Sequence, residues 1–165
     1  AVNEGSNCFN TSDESQLTWL PDQPYPENSW GYIGGESKSS QTQVENTNDG
    51  PLFQPLRNDI EGYCFAVPNG VYEIEFLFTD IFRENAATAY QLGRNSDVES
   101  RENCFSIIVN DETVEEDFSP CRESGYFHAL RKRYNITNFR NKIEIRFPVR
   151  NGKSFLNGIK LRKLY

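Results

Sequence analysis

Two stretches of the sequence place tryptophan and tyrosine beside amide, carboxylate and glycine residues. Residues 19–25 read Trp-Leu-Pro-Asp-Gln-Pro-Tyr, and residues 29–35 read Ser-Trp-Gly-Tyr-Ile-Gly-Gly. Aromatic rings stack on the CH faces of sugars, and amide, carboxylate and guanidinium groups pair with sugar hydroxyls. The two stretches therefore favour a recognition surface for carbohydrate. Alternatively, Trp19 and Trp30 cap a core beneath the loop, and Tyr32 and Ile33 are expected to belong to that core.

Sequence features of the common catalytic centres are weak in this chain. The only histidine is His128, and its neighbours Phe127 and Ala129 indicate packing rather than a Ser-His or Cys-His mechanism. No G-x-S-x-G motif, phosphate-binding loop or metal-binding histidine pair occurs. A glycosidase needs two acids across a cleft, roughly 5 to 10 Å apart. Glu73 and Glu75 instead share one strand face, which the alternation assigns to solvent. We therefore expect no catalytic residue.

The net negative charge of the chain argues against some classes of binding partner. The net charge is −7 and the pI is about 4.8, whereas nucleic-acid binding needs clustered Lys and Arg. The single basic run, Arg131 to Arg133, is short and is expected to form a solvated turn. No stretch approaches the roughly 20 apolar residues of a membrane span. The composition thus predicts a neutral ligand, no nucleic acid and no membrane span.

The spacing of the four cysteines does not indicate a metal site. Cys8, Cys64, Cys104 and Cys121 lack a C-x-x-C pair and a histidine at zinc spacing. An even number of cysteines permits two disulfides in a secreted protein. Cys104–Cys121 is the preferred pair because these residues flank a predicted hairpin, and four unpaired thiols are the alternative. No cofactor is expected; Asp- and Asn-rich loops suit a structural calcium ion, but no ligand spacing identifies one.

Strand periodicity is clear in the middle and at the end of the chain. Residues 71–78 alternate with period two, which places Tyr72, Ile74, Phe76 and Phe78 on one face. Asn69-Gly70 predicts a tight turn after a strand at 63–67. Further strands are predicted at 105–109, 142–147 and 155–161, with Ile143, Ile145, Phe147, Ile159 and Leu161 inward.

These strands, separated by Gly, Pro and Asn breaks and without an amphipathic helix, predict an all-β, jelly-roll-like β-sandwich. The polar stretches 15–40 and 81–104 are expected to be long loops, which are commonly functional. A length of 165 residues suits one domain spanning residues 1–165. The abrupt N-terminus suits a domain excised from a larger polypeptide, or a chain whose signal peptide is absent or has been removed.

The order and spacing of several blocks resemble a malectin-like domain. The closest version is the one carried near the C-terminus of bacterial family-2 glycoside hydrolases, the β-galactosidase group. The resemblance covers nearly the whole chain and rests on residues 18–25, 29–35, 51–54, 63–72, 78–82, 105–111 and 155–161.

The resemblance implies a sandwich whose loops bind glucose- or galactose-containing glycans at one end. Carried over by motif, the site residues of the family fall on Trp30, Asn58, Phe82, Arg83 and Asn151. Trp30 and Phe82 keep a ring for stacking. The other three differ in kind from the family residues. Either Arg83 and Asn151 hydrogen-bond sugar hydroxyls instead, or the site has lost its sugar binding.

Three functions follow as hypotheses. The first is a non-catalytic carbohydrate-binding module of a secreted, periplasmic or cell-surface glycoside hydrolase, with an oligo- or polysaccharide and the neighbouring catalytic domain of the same polypeptide as partners. The second is a structural module that packs on and stabilises that catalytic domain without binding sugar. The third is a free-standing hydrolase, which the residues support least.

Overall fold

The computed structural model describes residues 1–82 and 102–165, and strands dominate both segments. Two short helices are described, α1 (Gly50–Phe53) and α2 (Pro120–Ser124). The strands are β1 (Val2–Asn3), β2 (Asn10–Thr11), β3 (Thr18–Pro21), β4 (Trp30–Ile33), β5 (Glu36–Ser39), β6 (Pro55–Asn58), β7 (Gly62–Phe65), β8 (Gly70–Phe78), β9 (Cys104–Val109), β10 (Glu112–Phe118), β11 (Leu130–Asn138), β12 (Ile143–Arg146), β13 (Val149–Asn151), β14 (Phe155–Leu156) and β15 (Gly158–Lys163).

Two larger sheets face each other and a smaller third sheet lies beside them. The first sheet has the order β11-β8-β15-β1-β3-β2, and the second has the order β10-β9-β12-β7-β4, with β13 also paired to β9. The third sheet has the order β14-β6-β5. The prediction of an all-β sandwich is confirmed. The finer description as a jelly roll stays a prediction.

The main core lies between the two larger sheets, where the alternation placed it. Phe76 and Phe78 from the first sheet meet Phe105 and Phe147 from the second with ring centroids 5.9 to 6.2 Å apart. Ile143, Ile145 and Phe147 are at most 2% exposed, as predicted from the period of two. Ile159 is fully buried, and Leu161 packs against the same cluster.

A second cluster covers the outer face of the first sheet. It contains Trp19, Val44, Leu52, Phe53, Leu77 and Ala129. Residue 75 lies on this same face, two positions before Leu77, so the expectation that Glu75 faces solvent is wrong: its exposure is 1%. The alternation separated the two faces correctly, but it could not show that another layer of the same chain covers the second face.

The strands β7 and β8 flank the tight turn predicted at Asn69-Gly70, but they do not pair with each other. β8 pairs with β11 and β15 in the first sheet, whereas β7 pairs with β4 and β12 in the second. The turn therefore carries the chain from one sheet to the other. A turn signal gives a change of direction but does not specify the partner of each strand.

Residues 15–40 contain three strands rather than one long loop. These strands are β3, β4 and β5, and β4 is the edge strand of the second sheet. Ile33, which was expected in the core, is 41% exposed because it lies at that edge. Trp19 is 1% exposed, so it is a core residue and not part of a recognition surface.

The basic run lies within β11 rather than in a turn. Arg131 contacts Asp49 and Glu14, each at 3.2 Å, and Lys132 contacts Glu115 at 3.0 Å. The Lys132–Glu115 pair joins β11, at the edge of the first sheet, to β10, at the edge of the second. These cations are paired with carboxylates, which fits their role in closing the side of the sandwich better than phosphate binding.

The four cysteines are unpaired thiols, so the preferred Cys104–Cys121 disulfide is absent from the structure. The hairpin between them is present: β9 pairs with β10 around Asn110-Asp111. Neither helix of the described segments is long and apolar enough to cross a membrane.

Candidate functional site

The third sheet presents a row of polar and aromatic residues at one end of the sandwich. Glu36, Asn58 and Phe155 lie opposite one another on β5, β6 and β14. Lys38 lies two residues after Glu36, so its side chain is on the same face. The ring of Phe82 packs on that of Phe155 with centroids 5.7 Å apart, and the Lys38 ammonium lies 5.8 Å from the Phe82 centroid. We call Glu36, Lys38, Asn58 and Phe82 the rim cluster.

The rim cluster contains several kinds of group that hold sugars. The Glu36 carboxylate lies 3.5 Å from the Asn58 amide nitrogen and 3.5 Å from the Lys38 ammonium. The Asn58 side-chain oxygen is buried and has no hydrogen-bond partner among the described residues. A buried acceptor without a donor is costly and is commonly satisfied by a water or a ligand. Ring, amide, ammonium and carboxylate thus meet beside one unsatisfied acceptor.

Asp80 fixes the loop that carries the Phe82 ring. It is 1% exposed, and one carboxylate oxygen accepts a hydrogen bond from the Phe82 backbone N–H at 3.0 Å. Burial raises the pKa of Asp80, although the Phe82 N–H bond and contacts with Cys121 and Asn103 oppose that rise. The Asp80 backbone carbonyl also accepts from the Phe127 N–H at 3.0 Å. The position of Phe82 is therefore set by buried polar contacts.

Loops from three other parts of the chain converge on the same end. The Asp59 N–H donates to the Ser154 carbonyl at 2.7 Å, and the Lys153 N–H donates to the Asn103 side chain at 2.9 Å. Asn151, in β13, donates from its side chain to the Glu102 carbonyl at 3.0 Å. The structure thus brings Asn58, Phe82 and the loop of Asn151 to one end of the sandwich.

Trp30 lies at the opposite end of its strand. In the β4–β7 pair Ile33 lies opposite Gly62, next to the Asn58 loop, whereas Trp30 lies opposite Phe65. Trp30 and Ile33 are three residue steps apart along the strand, which is about 10 Å. Trp30 also packs against the main core. The structure therefore does not place Trp30 with the rim cluster, and Arg83 lies outside the described residues.

Glu36 and Lys38 were missed by sequence reasoning. They follow Gly34-Gly35, and Gly35 has a positive φ of 82° with no room for a side chain: an added Cβ would lie 2.7 Å from the Asn58 carbonyl. The group that approaches Gly35 is the neighbouring strand β6, whereas Gly34 faces the Glu61 side chain. The charged residues two apart after the glycines were the available signal.

A separate pocket of about 440 Å³ lies away from the rim cluster. Its lining residues are Asn46, Glu123, Ser124, Ala129, Leu130 and Arg131. Arg131 is paired with Asp49, and Glu123 is paired with Lys132 at 2.8 Å. The charged groups that could direct a ligand there are already paired within the protein.

His128 has a structural contact rather than a catalytic one. Its Nδ1 lies 2.8 Å from the Tyr126 carbonyl, and the chain at His128 forms a β-bridge with Glu45. This supports the interpretation of His128 as a packing residue.

The family model described as the malectin domain matches residues 1–160. The chain belongs to the malectin domain family. The resemblance predicted from the sequence blocks is therefore confirmed.

Solved structures show where such a domain occurs. This malectin domain is similar to a β-glucuronidase from Bacteroides uniformis, with 60% sequence identity and a TM-score of 0.88. The match covers 99% of this chain and 18% of the glucuronidase chain. A second structure, described as Bacteroides uniformis β-glucuronidase 2 covalently bound to cyclophellitol-6-carboxylate aziridine, matches at 60% identity and a TM-score of 0.87, covering 99% of this chain and 17% of that one.

More distant structures share only the fold. The plant receptor-like kinase FER matches with 14% identity and a TM-score of 0.73, covering 99% of this chain and 48% of that one. No curated protein matches this chain.

The malectin domain spans about 18% of the length of the first glucuronidase it matches. A unit of that extent is a small accessory domain, and the catalytic domain of such an enzyme lies outside this chain. The similar enzymes are β-glucuronidases, so specificity for β-galactosides finds no support in them and stays a prediction.

Proposed function

We propose that this malectin domain is a non-catalytic carbohydrate-binding module of a larger glycoside hydrolase and that the rim cluster is its sugar site. The observation that carries the proposal is the half-buried Phe82 ring held beside Lys38 and the unsatisfied Asn58 oxygen. A pyranose could stack on the ring while its hydroxyls meet the amide, carboxylate and ammonium. Asn151 would border the sugar from the adjacent loop.

A module of this kind helps an attached enzyme through effective concentration. Once the module binds a polysaccharide, the catalytic domain of the same polypeptide meets its substrate without a further encounter in solution. Even weak binding at millimolar Kd is then useful. The setting expected for such an enzyme is outside the cytoplasm, in the periplasm, on the cell surface or secreted, where polysaccharides occur.

Removal of the Phe82 ring tests the site. We expect Phe82→Leu to weaken glycan binding about tenfold, since a stacked ring contributes on the order of 1 kcal/mol beyond burial. Leucine keeps apolar packing against Phe155, so the melting temperature should change little. Binding would be located on a glycan array and quantified by calorimetry.

Phe139→Leu is the matched control. Phe139 is 79% exposed and directly follows β11 at the other end of the sandwich, next to Asn138. Equal loss in both variants, or full binding by Phe82→Leu, would exclude the rim cluster. A wild-type chain that binds no glycan would instead favour the structural-module hypothesis, which predicts that the chain stabilises the catalytic domain.

The activity of the similar enzymes suggests the first sugars to test. Because they are β-glucuronidases, glycans that carry glucuronic acid should be compared with neutral glucose- and galactose-containing glycans. Lys38 is the cation placed to meet a uronate carboxylate; its ion pair with Glu36 is solvent-exposed and therefore contributes little.

Lys38→Gln tests this choice of sugar. If uronates bind through Lys38, the variant loses affinity for them, keeps its affinity for neutral glycans and loses the salt dependence of binding. Unchanged binding of both classes in Lys38→Gln would show that Lys38 does not contact the ligand.

A further inference from the structure

A buried cluster of ionisable groups lies behind the third sheet, away from any proposed ligand. The Glu4 side chain is fully buried, and the side chains of Asp22 and Arg57 are only 4% and 8% exposed. The Tyr63 ring is also fully buried beside Glu4. These four residues come from the segment after β1, the segment after β3, β6 and β7, so the cluster joins distant parts of the chain.

The Arg57 guanidinium contacts Asp22 closely and Glu4 only at a longer distance. The Arg57 Nε and Nη2 atoms each lie 2.8 Å from Asp22 Oδ2, whereas Nε lies 3.9 Å from the nearer Glu4 oxygen. Neither Glu4 oxygen has a hydrogen-bond partner among the described residues, and the Tyr63 hydroxyl has none either. An ionised carboxylate without such partners is very costly to bury, because the interior solvates charge poorly.

The surroundings of Glu4 favour its neutral form. Burial raises the pKa of Glu4 well above its ordinary value, and the neighbouring Asp22 carboxylate raises it further. Arg57 and the Tyr63 hydroxyl oppose this rise but do not outweigh it. Because Arg57 contacts Asp22 at 2.8 Å and Glu4 only at 3.9 Å, Asp22 is its ion-pair partner, and Glu4 is the group that can hold a proton.

We propose that Glu4 is a neutral carboxylic acid at neutral pH and that its O–H donates to the Asp22 carboxylate, forming a proton-dependent latch. The contacts of Asp22 with Arg57 and Gly5 all end on Oδ2, so Oδ1 is the acceptor of this proton. The Tyr63 hydroxyl lies close enough to Glu4 to lower its pKa, and the latch assigns this hydroxyl as a donor to the Glu4 carbonyl oxygen. Both Glu4 oxygens and the Tyr63 hydroxyl then have a hydrogen-bond partner.

The latch ties the start of the chain to the sheet that carries the rim cluster. The Gly5 N–H donates to Asp22 at 2.8 Å, and the Ser37 hydroxyl of β5 donates to the Gly5 carbonyl at 2.6 Å. Gly5 has a φ of 70°, and an added Cβ would lie 2.2 Å from the Leu56 carbonyl of β6. Arg57 also donates to the Gly35 carbonyl at 3.3 Å. If Glu4 lost its proton, the Glu4 and Asp22 carboxylates would be two adjacent negative charges, and their repulsion would weaken these contacts.

The sign of the pH dependence follows from the raised pKa. Stability contributed by the proton is fully present below the ordinary pKa of 4.5 and is lost as the pH rises through the folded-state pKa. Between those two values, the unfolding equilibrium constant rises tenfold for each pH unit. The latch therefore contributes less stability as the pH rises from 4.5 through the folded-state pKa, and it does so whether or not the domain binds glycan.

Glu4→Gln in the 165-residue chain tests the latch. The glutamine amide can donate to Asp22 at every pH, so urea unfolding measured from about pH 5 to about pH 9 should lose the tenfold-per-unit component seen in the wild type. Asp59→Asn is the matched control, because Asp59 is 58% exposed at the same end of the molecule and asparagine tolerates its positive φ. An identical pH slope in Glu4→Gln and wild type would overturn the proposal.

Infrared spectroscopy tests the proton directly and does not depend on the variant being stable. The wild type at pH 7 should show the carbonyl band of a buried neutral carboxylic acid, and this band should vanish in Glu4→Gln. In Asp22→Asn, Arg57 keeps one carboxylate partner, so Glu4 should ionise and the band should also vanish. Absence of the band in the wild type at pH 7, or its persistence in Glu4→Gln, would overturn the proposal.

Discussion

At the scale of single residues, Glu75 shows how a charge is kept in the interior of this domain. It is 1% exposed and contacts Arg133 at 2.8 Å, Lys160 at 2.9 Å and Arg131 at 3.8 Å. Burial alone would raise the pKa of Glu75, but hydrogen bonds from Lys160 and Arg133 outweigh it and lower the pKa below 4.5. Cations on both neighbouring strands thus replace the water that Glu75 loses.

Glu75→Gln should destabilise the domain by about 2 kcal/mol, since removal of a buried charge leaves its cationic partners uncompensated while the exposed partners recover part of their hydration. Glu73→Gln is the control, because Glu73 lies two residues earlier on the same face and is 21% exposed in its pair with Arg162. It should cost less than about 1 kcal/mol. Chemical denaturation at pH 7 measures both, and equal losses would contradict this account of Glu75.

Acid should remove the same stabilisation in the wild type. Because the folded-state pKa of Glu75 is lowered, its contribution is present above the ordinary value of 4.5 and is lost as the pH falls through the folded-state pKa. The dependence is opposite in sign to that of Glu4.

At the scale of elements, the β9–β10 hairpin depends more on neighbouring residues in the sequence than any other described part of the fold. Val109 lies opposite Glu112, so Asn110-Asp111 forms a two-residue turn, with φ values of 48° and 72°. Positive φ at both positions matches the twist of the flanking strands. The Asn110 side chain also accepts a hydrogen bond from the Glu144 N–H at 2.9 Å, which joins the hairpin to β12.

Asn110→Ala should cost about 2 kcal/mol, because alanine disfavours positive φ and lacks the side chain that accepts from Glu144. Asn110→Gly separates the two effects: it allows the backbone conformation but removes the side-chain bond, so it should cost about 1 kcal/mol. Thermal or urea unfolding gives both values. If glycine were as damaging as alanine, backbone conformation would contribute nothing at this turn.

Other elements could not be predicted because their partners are distant in sequence. Period-two alternation identified β8 and β12 and their inward residues correctly. It also placed Ile159 and Leu161 inward, but the single strand predicted at 155–161 is divided between β14 and β15. It did not show that β7 and β8 belong to different sheets, since both choices of partner bury the same residues. The strands β3, β4 and β5 are only four residues each and contain glycine, proline and charged residues, so their alternation was too short to detect.

At the scale of the whole molecule, the family and the sandwich were predictable, whereas the composition of the candidate site was only partly so. Motif order placed Asn58, Phe82 and Asn151, which the structure brings to one end. It also selected Trp30, which lies at the other end of β4. Glu36 and Lys38 reach the rim cluster only through the pairing of β5 with β6, a contact that no linear motif contains.

The first strand of the chain is completed by one of the last. Val2 pairs with Ile159 of β15 on one side and with Leu20 of β3 on the other, so β1 joins the two halves of the first sheet. During synthesis on the ribosome, the nascent chain cannot close that sheet until nearly all of the domain has emerged. Folding that waits for such distant contacts is slow, and the edge of β8 that pairs with β15 stays without a partner strand meanwhile. The newly made domain is thus most vulnerable to aggregation just before its C-terminal strand is released.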